Sequence, residues 1–367
     1  MTEAETPHPA EDEYGEVRDE EQLDWAKLTQ FLRGKIPGVD RPLAVKQFRG
    51  GHSNLTYLLR YGDTEWVVRR PPFGPLPVGG HDMAREFRVL SKLWQSYPPA
   101  PRALVFSDDA SIIGAPFFVM ERRSGIVIKN REPLPRALPQ DPASLRKLST
   151  GFVDAMADLH AVAYQKIGLG DLGKPEGFMQ RQTAGWMRRW ESAKTREVPL
   201  MEKLGAWFLD HQPPPQPPTI IHNDFYLHNV MIDSHDPGRV AGVFDWEMST
   251  IGEPLIDLGL ALNYWRGKDD LPELLNAPNA FNHTLTPGFM TRDELIERYA
   301  QRSRRDVSNI LFFWAWAHWK NATVGEQIYV RYVRGQTHDP RFASFATGAP
   351  LAAESSARVA RRIGFPH

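Results

Sequence analysis

The chain is 367 residues long, 41% hydrophobic and 24% charged, with a formal net charge of −1 and no cysteine. This is the composition of a globular protein long enough for two lobes, and it excludes disulfides and Cys-ligated metals, so the core has to hold by burial alone. No run of about 18 uninterrupted apolar residues occurs, and residues 1–16 carry neither a basic nor a hydrophobic signal region, so the expected compartment is the cytoplasm, with no membrane partner.

Charge is distributed unevenly. Residues 1–40 hold 11 Asp and Glu against 4 Lys and Arg, a balance of −7 that leaves +6 for the rest. Residues 1–20 are expected to be an acidic disordered tail ahead of a mildly basic body. Within 24–34, Trp25, Leu28, Phe31 and Leu32 form a helical stripe closed by Gly34. Strands are expected at 43–48 and 55–60, joined by the turn Arg49-Gly50-Gly51-His52-Ser53-Asn54. The next strand, from Trp66, ends in Arg69 and Arg70, and beyond the Pro/Gly loop 73–80 a helix at 83–90 carries Glu86. Two further strands, at 103–107 and 115–120, lead through Met120 into Glu121-Arg122-Arg123-Ser124-Gly125.

From there the period becomes helical. Leu145, Leu148, Phe152, Val153, Met156, Leu159 and Ala163 predict a core helix over 144–164, with His160 as a structural histidine beside its apolar face. A second helix is expected at 177–190, with Trp186, Trp190, Arg181, Arg188 and Arg189, and the Pro-rich link 211–218 follows. Past Gly259, helices are expected at 293–302 and 308–320, the latter rich in core aromatics, and again in 343–367. No repeat with a period of about 20–50 residues is present.

The chemistry is concentrated in 219–259. A short β-branched run ends in His222, Asn223 and Asp224, Asn229 follows, and a second apolar run, 240–244, delivers Asp245. Two strands joined through a turn containing Ser234, Asp236, Pro237 and Gly238 would bring Asp224, Asn229 and Asp245 to one sheet edge. A loop carboxylate can take the proton of an attacking hydroxyl. A carboxamide oxygen and a second carboxylate are hard ligands suited to Mg²⁺ that keeps several waters and bridges nucleotide phosphates. This set belongs to phosphoryl transfer. Zinc on His222, Asp224 and His228 is the weaker reading, since no Cys and no H-E-x-x-H accompany them.

With His222-Asn223-Asp224, Asn229, Phe244-Asp245-Trp246-Glu247 and Gly252-Glu253-Pro254 followed by Asp257-Leu258, the chain resembles the aminoglycoside phosphotransferase family. The likeness is greatest to the branch related to the kinase-like domain fused to some acyl-CoA dehydrogenases. The resemblance implies an α+β, bilobal protein-kinase-like fold, with a small antiparallel-sheet N-lobe at 21–122 and a larger, mostly helical C-lobe at 123–367. It implies Asp224 as catalytic base, Asn229 and Asp245 as metal ligands, and His222 and Asp257 as braces of the two loops. It also implies a nucleotide site: Gly50, Gly51, His52, Ser53 and Asn54 over the phosphates, Arg69 as phosphate anchor paired with Glu86, Met120 behind the base, and the Glu121 carbonyl and Arg123 N–H on its edge. The donor would be ATP or GTP with Mg²⁺.

Four features depart from the pattern. The covering loop is not GxGxxG, Arg69 stands where kinases carry Lys, and Asn223 stands where the likeness usually has Gly. Tyr226, two residues after Asp224, replaces the Lys common in protein kinases, which points to a small-molecule acceptor. Residues 260–367 hold 14 Lys and Arg, among them Arg266, Lys268, Arg292, Arg298 and Arg302, against 10 Asp and Glu. A polycationic antibiotic would select an acidic site, so the expected partner is a hydroxylated metabolite, a hydroxy acid or its CoA thioester. An aminoglycoside or macrolide phosphotransferase and a silent nucleotide-binding scaffold are the alternatives. The basic residues form no dense stripe with interleaved aromatics, so nucleic acid is not an expected partner.

Overall fold

The computed structural model describes residues 14–49, 54–74, 81–129, 132–277, 280, 282–336 and 340–366. The chain divides into two units. One comprises Met1–Ile126, Ile167–Leu169 and Ala241–Met248; the other comprises Val127–Lys166, Gly170–Val240 and Ser249–His367.

In the first unit, β1 (Tyr14–Gly15), β2 (Leu43–Phe48), β3 (Leu55–Tyr61), β4 (Thr64–Arg70), β5 (Ala103–Ser107) and β6 (Phe117–Glu121) make an antiparallel sheet of order β1-β2-β3-β4-β6-β5. Side chains alternate across it, so Tyr57, Leu59, Tyr61, Val68, Phe117 and Val119 share one core with Leu28 and Leu32 of α1 (Trp25–Leu32). That helix starts where Asp24 accepts the Lys27 N–H. Register decides the other face: Arg69 stands opposite Thr56 on β3 and Phe118 on β6, one pleat away from Val68. Against this face lies α2 (Met83–Leu93), opened by the Asp82 cap, with the Phe87 ring tilted over Phe118. Met83, Glu86, Leu90 and Leu93 follow helical spacing, and Glu86 occupies that apolar stripe with 1% of its surface exposed. The short α3 (Ala110–Ile113) lies between β5 and β6.

After β7 (Ile126–Val127), the second unit begins with α4 (Pro142–His160), where Asp141 caps two backbone N–H groups ahead of Pro142. This helix ends four residues short of the expected 164, because residues 161–164 close in tight turns. Then come α5 (Phe178–Ala193) and α6 (Pro199–Asp210). The buried stripe of α6, Met201, Leu204, Trp207 and Phe208, is masked in the sequence by Pro199 and Gly205. A Cβ at Gly205 would stand 3.0 Å from both Met187 and Trp319, so the glycine is there for close helix approach.

β8 (Thr219–Ile221) leads to the motif stretch, β9 (Val230–Ile232) follows, and β10 (Val240–Val243) is drawn almost wholly from the first unit. β9 is an additional strand, where the sequence suggested only two. Between β9 and β10, Asp233 accepts the N–H groups of His235 and Asp236 and closes the turn. β11 (Thr250–Gly252) pairs with β8, Thr250 opposite Ile221. Next are α7 (Leu255–Tyr264), the short α8 (Pro272–Leu275), α9 (Arg292–Ser303) with a Thr291/Glu294 capping box, α10 (Ile310–Val333) and α11 (Gly348–Arg361). Helix α10 runs well past the expected end at 320, its inward face continuing through Ala322, Thr323, Glu326 and Val330. A Cβ at Gly259 would meet the Phe313 carbonyl at 2.6 Å, so α7 and α10 touch backbone to backbone there.

His160 and His318 are buried and His228 is half-buried. Burial holds all three imidazoles below their ordinary range, His228 down to about 3 with help from His283, and His318 well below it with help from Arg266 and Arg292. The unfolded chain binds more protons at these groups, so their contribution is intact above pH about 6.5 and lost as pH falls below it, by about 1.4 kcal/mol per histidine per pH unit. Urea unfolding is expected to show stability dropping between pH 7.5 and pH 5.5 with a slope that shrinks in His318→Gln; a flat profile would contradict the neutral burial.

Candidate active site

The second unit places Asp224 at a corner just after β8. Asn223 there has φ +66°, a left-handed conformation that costs an L-residue free energy and that Asn tolerates better than most. The corner is held from several directions. Asp257, fully buried in the first turn of α7, accepts the His222 N–H on Oδ2 and the Asn223 N–H on Oδ1, both at 2.7 Å. His160 Nε2 lies 3.1 Å from the same Oδ2, and its Nδ1 is 2.7 Å from the Tyr299 hydroxyl. From α10, Lys320 donates to the Asn223 carbonyl at 3.3 Å. His222 is fully buried, with its ring edge-on to Phe225.

Asn229 ends a short 3₁₀ turn, and its amide Nδ2 donates to the Asp224 carbonyl at 2.9 Å and to Asp224 Oδ2 at 3.0 Å. With the amide nitrogen used in this way, its oxygen is left as the ligand-type atom. Tyr226 stacks on Tyr264 with centroids 4.5 Å apart, and burial followed by the Asp224 charge raises the Tyr264 phenol well above its usual range. Lys320 is itself 7% exposed; burial depresses its ammonium, Asp224 and Asp257 oppose that, and Arg189 adds to it. Both Lys320 and Arg189 stand over the Trp186 ring.

The first unit gathers the other predicted group. Arg69 Nη2 is 2.6 Å from Asp245 Oδ1, and Arg69 Nε is 3.1 Å from Glu86 Oε2. Asp245 also sits at positive φ, +68°, next to Trp246, which is locked in the core by a bond from its Nε1 to the Val243 carbonyl. Glu247 accepts from Asn54 Nδ2 at 3.2 Å, and Asn54 Oδ1 meets His81 Nδ1 at 2.8 Å. Burial, reinforced by Asp245 and Glu247, pushes Glu86 up to about 7 against the pull of Arg69. Burial raises Glu247 too, with Asp245 adding. Three carboxylates lie around one guanidinium, an excess of negative charge that a divalent cation would offset. Among the described residues no three His, Asp or Glu side chains form a ready cage. A hard cation here would therefore complete its shell with water and phosphate oxygens, as Mg²⁺ does.

Other expected positions are placed as follows. Gly50, Gly51, His52 and Ser53 lie outside the described residues. Met120 is buried in β6, and the Arg123 side chain is bound to the Glu121 carboxylate and to the carbonyls of Pro98 and Ala100. Arg70 faces away from Arg69 and is spent on the carbonyls of Pro71 and Ile113, so it cannot serve as a substitute anchor. Arg181 is tied to the carbonyls of Lys174 and Glu176. Arg298 and Arg302 pair with Asp154 and Asp158 and hold α9 to α4, which removes them from the charge argument about the acceptor. Sequence reasoning gave no role to Lys320, Tyr264 or Glu247. For Lys320 the available signal was a lone cation in an aromatic helix.

An antiparallel six-stranded unit and a mostly helical one, with Asp, Asn and Asp on loops in this order along the chain, make the mixed α+β architecture of the kinase-like phosphotransferases. Residues 44–301 match the Phosphotransferase enzyme family, and the chain belongs to that family. It is 30% identical over 358 residues to acyl-CoA dehydrogenase family member 11 of Gallus gallus; the match takes in 95% of this chain but 45% of that protein, so the chain spans a little under half the length of such relatives. Among solved structures it is similar to a candidate aminoglycoside phosphotransferase from Ralstonia eutropha, with TM-score 0.78, 29% identity, and 93% and 99% of the two chains covered. An aminoglycoside phosphotransferase solved with AMP-PNP and hygromycin B shares the fold, with TM-score 0.55, 14% identity, and 93% and 100% covered. No helix among the described residues is long and apolar enough to cross a membrane.

Proposed function

We propose that the chain transfers the γ-phosphoryl group of ATP, or GTP, to a hydroxyl of a small metabolite. The observation that carries this reading is the clamped Asp224 corner, with the Asn229 amide on the same carboxylate. Asp224, half-exposed, takes the proton of the acceptor hydroxyl. Arg69, oriented by Glu86, supplies a bidentate cation for phosphate oxygens. Asn229 and Asp245 are the proposed protein oxygens for Mg²⁺, which would neutralise charge on the phosphates. His222 and Asp257 keep the corner in place. Met120, Glu121 and Arg123 are the proposed adenine edge.

Lys320 supplies the positive charge that Tyr226 does not. Its ammonium lies beside Asp224 and donates to the Asn223 carbonyl, which fixes that peptide. Lys320→Met is expected to lower kcat by about 10²-fold, the usual result of misplacing a catalytic group by roughly an ångström, with the KM for nucleotide unchanged and partial rescue in Lys320→Arg. Equal turnover in all three proteins would remove Lys320 from the site.

For the acceptor, Lys320 and Arg189 near the corner favour a neutral or anionic molecule, a hydroxy acid or hydroxyacyl-CoA, over a polycationic aminoglycoside. The name of the acyl-CoA dehydrogenase relatives supports an acyl-type acceptor. A screen of hydroxylated metabolites with purified protein and Mg·ATP, reading ADP release, tests this. ADP release stimulated only by aminoglycosides or macrolides would replace the acceptor, and none with any hydroxylated compound would favour the silent scaffold.

A further inference from the structure

A second cluster of the helical unit lies outside the machinery described so far. The loop after α7, the first half of α10 and the second half of α11 enclose a cavity of about 40 Å³, walled in part by Asp269, Asp270, Trp314, His318, Arg358 and Arg362. Both acidic walls are already engaged: Arg292, 7% exposed, holds Asp270 at 2.5 Å and Asp269 at 3.3 Å and lies over the Trp314 ring at 4.6 Å. Behind them Arg266 is 8% exposed, and its Nε has no hydrogen-bond partner. Arg358 in the last turn of α11 and Arg362 at its C-cap, both exposed, have no ion pair among the described residues. Four guanidinium groups therefore meet two carboxylates.

His318 forms the floor. It is 3% exposed, lines the cavity and makes no hydrogen bond among the described residues. The ring nitrogens are not sealed from the cavity, so an imidazole N–H is open to an acceptor that enters it. A ligand there has to accept a hydrogen bond from the ring and suit the two guanidiniums that line the cavity, with Arg266 and Arg292 behind. An oxyanion meets both conditions, and a cation or a neutral donor meets neither.

We propose that this cavity binds a small oxyanion, a phosphate or carboxylate group, between His318 and the Arg358–Arg362 pair. The inference does not depend on the phosphotransferase reading. The anion is either a group of the acceptor itself or a separate ion, and the same variants distinguish the two.

The test uses the full chain with isotope-labelled histidine, the His318 ring signal being identified by its absence in His318→Gln. Inorganic phosphate is expected to shift that signal saturably in the wild type, and the double variant Arg358→Ala/Arg362→Ala, altered only at exposed positions, to bind phosphate about tenfold more weakly or worse. A His318 signal that phosphate leaves unmoved, or one that moves equally in the double variant, overturns the proposal. With the site shown, a raised KM for the acceptor at unchanged nucleotide KM in the double variant assigns the anion to the acceptor. An unchanged acceptor KM assigns it to a separate ion.

Discussion

Asp224→Asn is expected to lower kcat by about three orders of magnitude while nucleotide affinity stays near that of the wild type. The substituted amide keeps the shape of the side chain and can still meet the Asn229 amide, so the corner remains formed. What is lost is a group able to accept a proton from the attacking hydroxyl. Phosphate binding is proposed to rest on Arg69 and Glu86, which the substitution does not touch. Steady-state kinetics with the acceptor from the metabolite screen, alongside direct nucleotide titration, separates the two quantities. Wild-type turnover in this variant would end the role of Asp224, and a large loss of nucleotide binding would show that the substitution had disturbed more than the base.

Asp257→Ala is expected to cost about 2–5 kcal/mol of stability, about 1–3 for each backbone donor left without its acceptor, and to abolish turnover as well. Its carboxylate is the acceptor for two backbone N–H groups and faces His160, with Asp257, His160 and His222 all buried. Removing it strands those donors and releases the left-handed Asn223, so the orientation of Asp224 goes with the stability. Urea unfolding and activity should fall together, and Asp257→Asn, which keeps one acceptor oxygen, should lie between. A stable, inactive Asp257→Ala would mean that the backbone donors find other partners. A stable, active one would mean that the brace is dispensable.

The architecture and family were legible because they rest on periodicity and on spacing within one short stretch. Alternation marks the strands of the first unit, the 3.6-residue period marks α4, α5 and α9, and His222 to Asp257 carries four spaced motifs. The pairing of Arg69 with Glu86 was suggested by position, and it is found at 3.1 Å. That Arg69 also reaches Asp245 was not suggested, because an ion pair across 176 residues leaves no local pattern. Lys320 was missed for a related reason: a lysine that recognises a backbone carbonyl puts no constraint on the identity of the residue it binds. Helix α10 was read short because Asn321, Thr323 and Gly325 interrupt its aromatic run, although tertiary packing keeps it helical to Val333. The His318 cavity was invisible because α11 supplies its arginines from the end of the chain.

Gly259 links these observations. Asp257 belongs to α7 and Lys320 to α10, and the two grip opposite polar groups of the same peptide corner. The gauge between the two helices is set by a residue with no side chain, pressed against the Phe313 carbonyl. The orientation of the Asp224 corner is therefore partly a property of helix spacing, and a methyl group added at Gly259 would loosen one jaw of the vice.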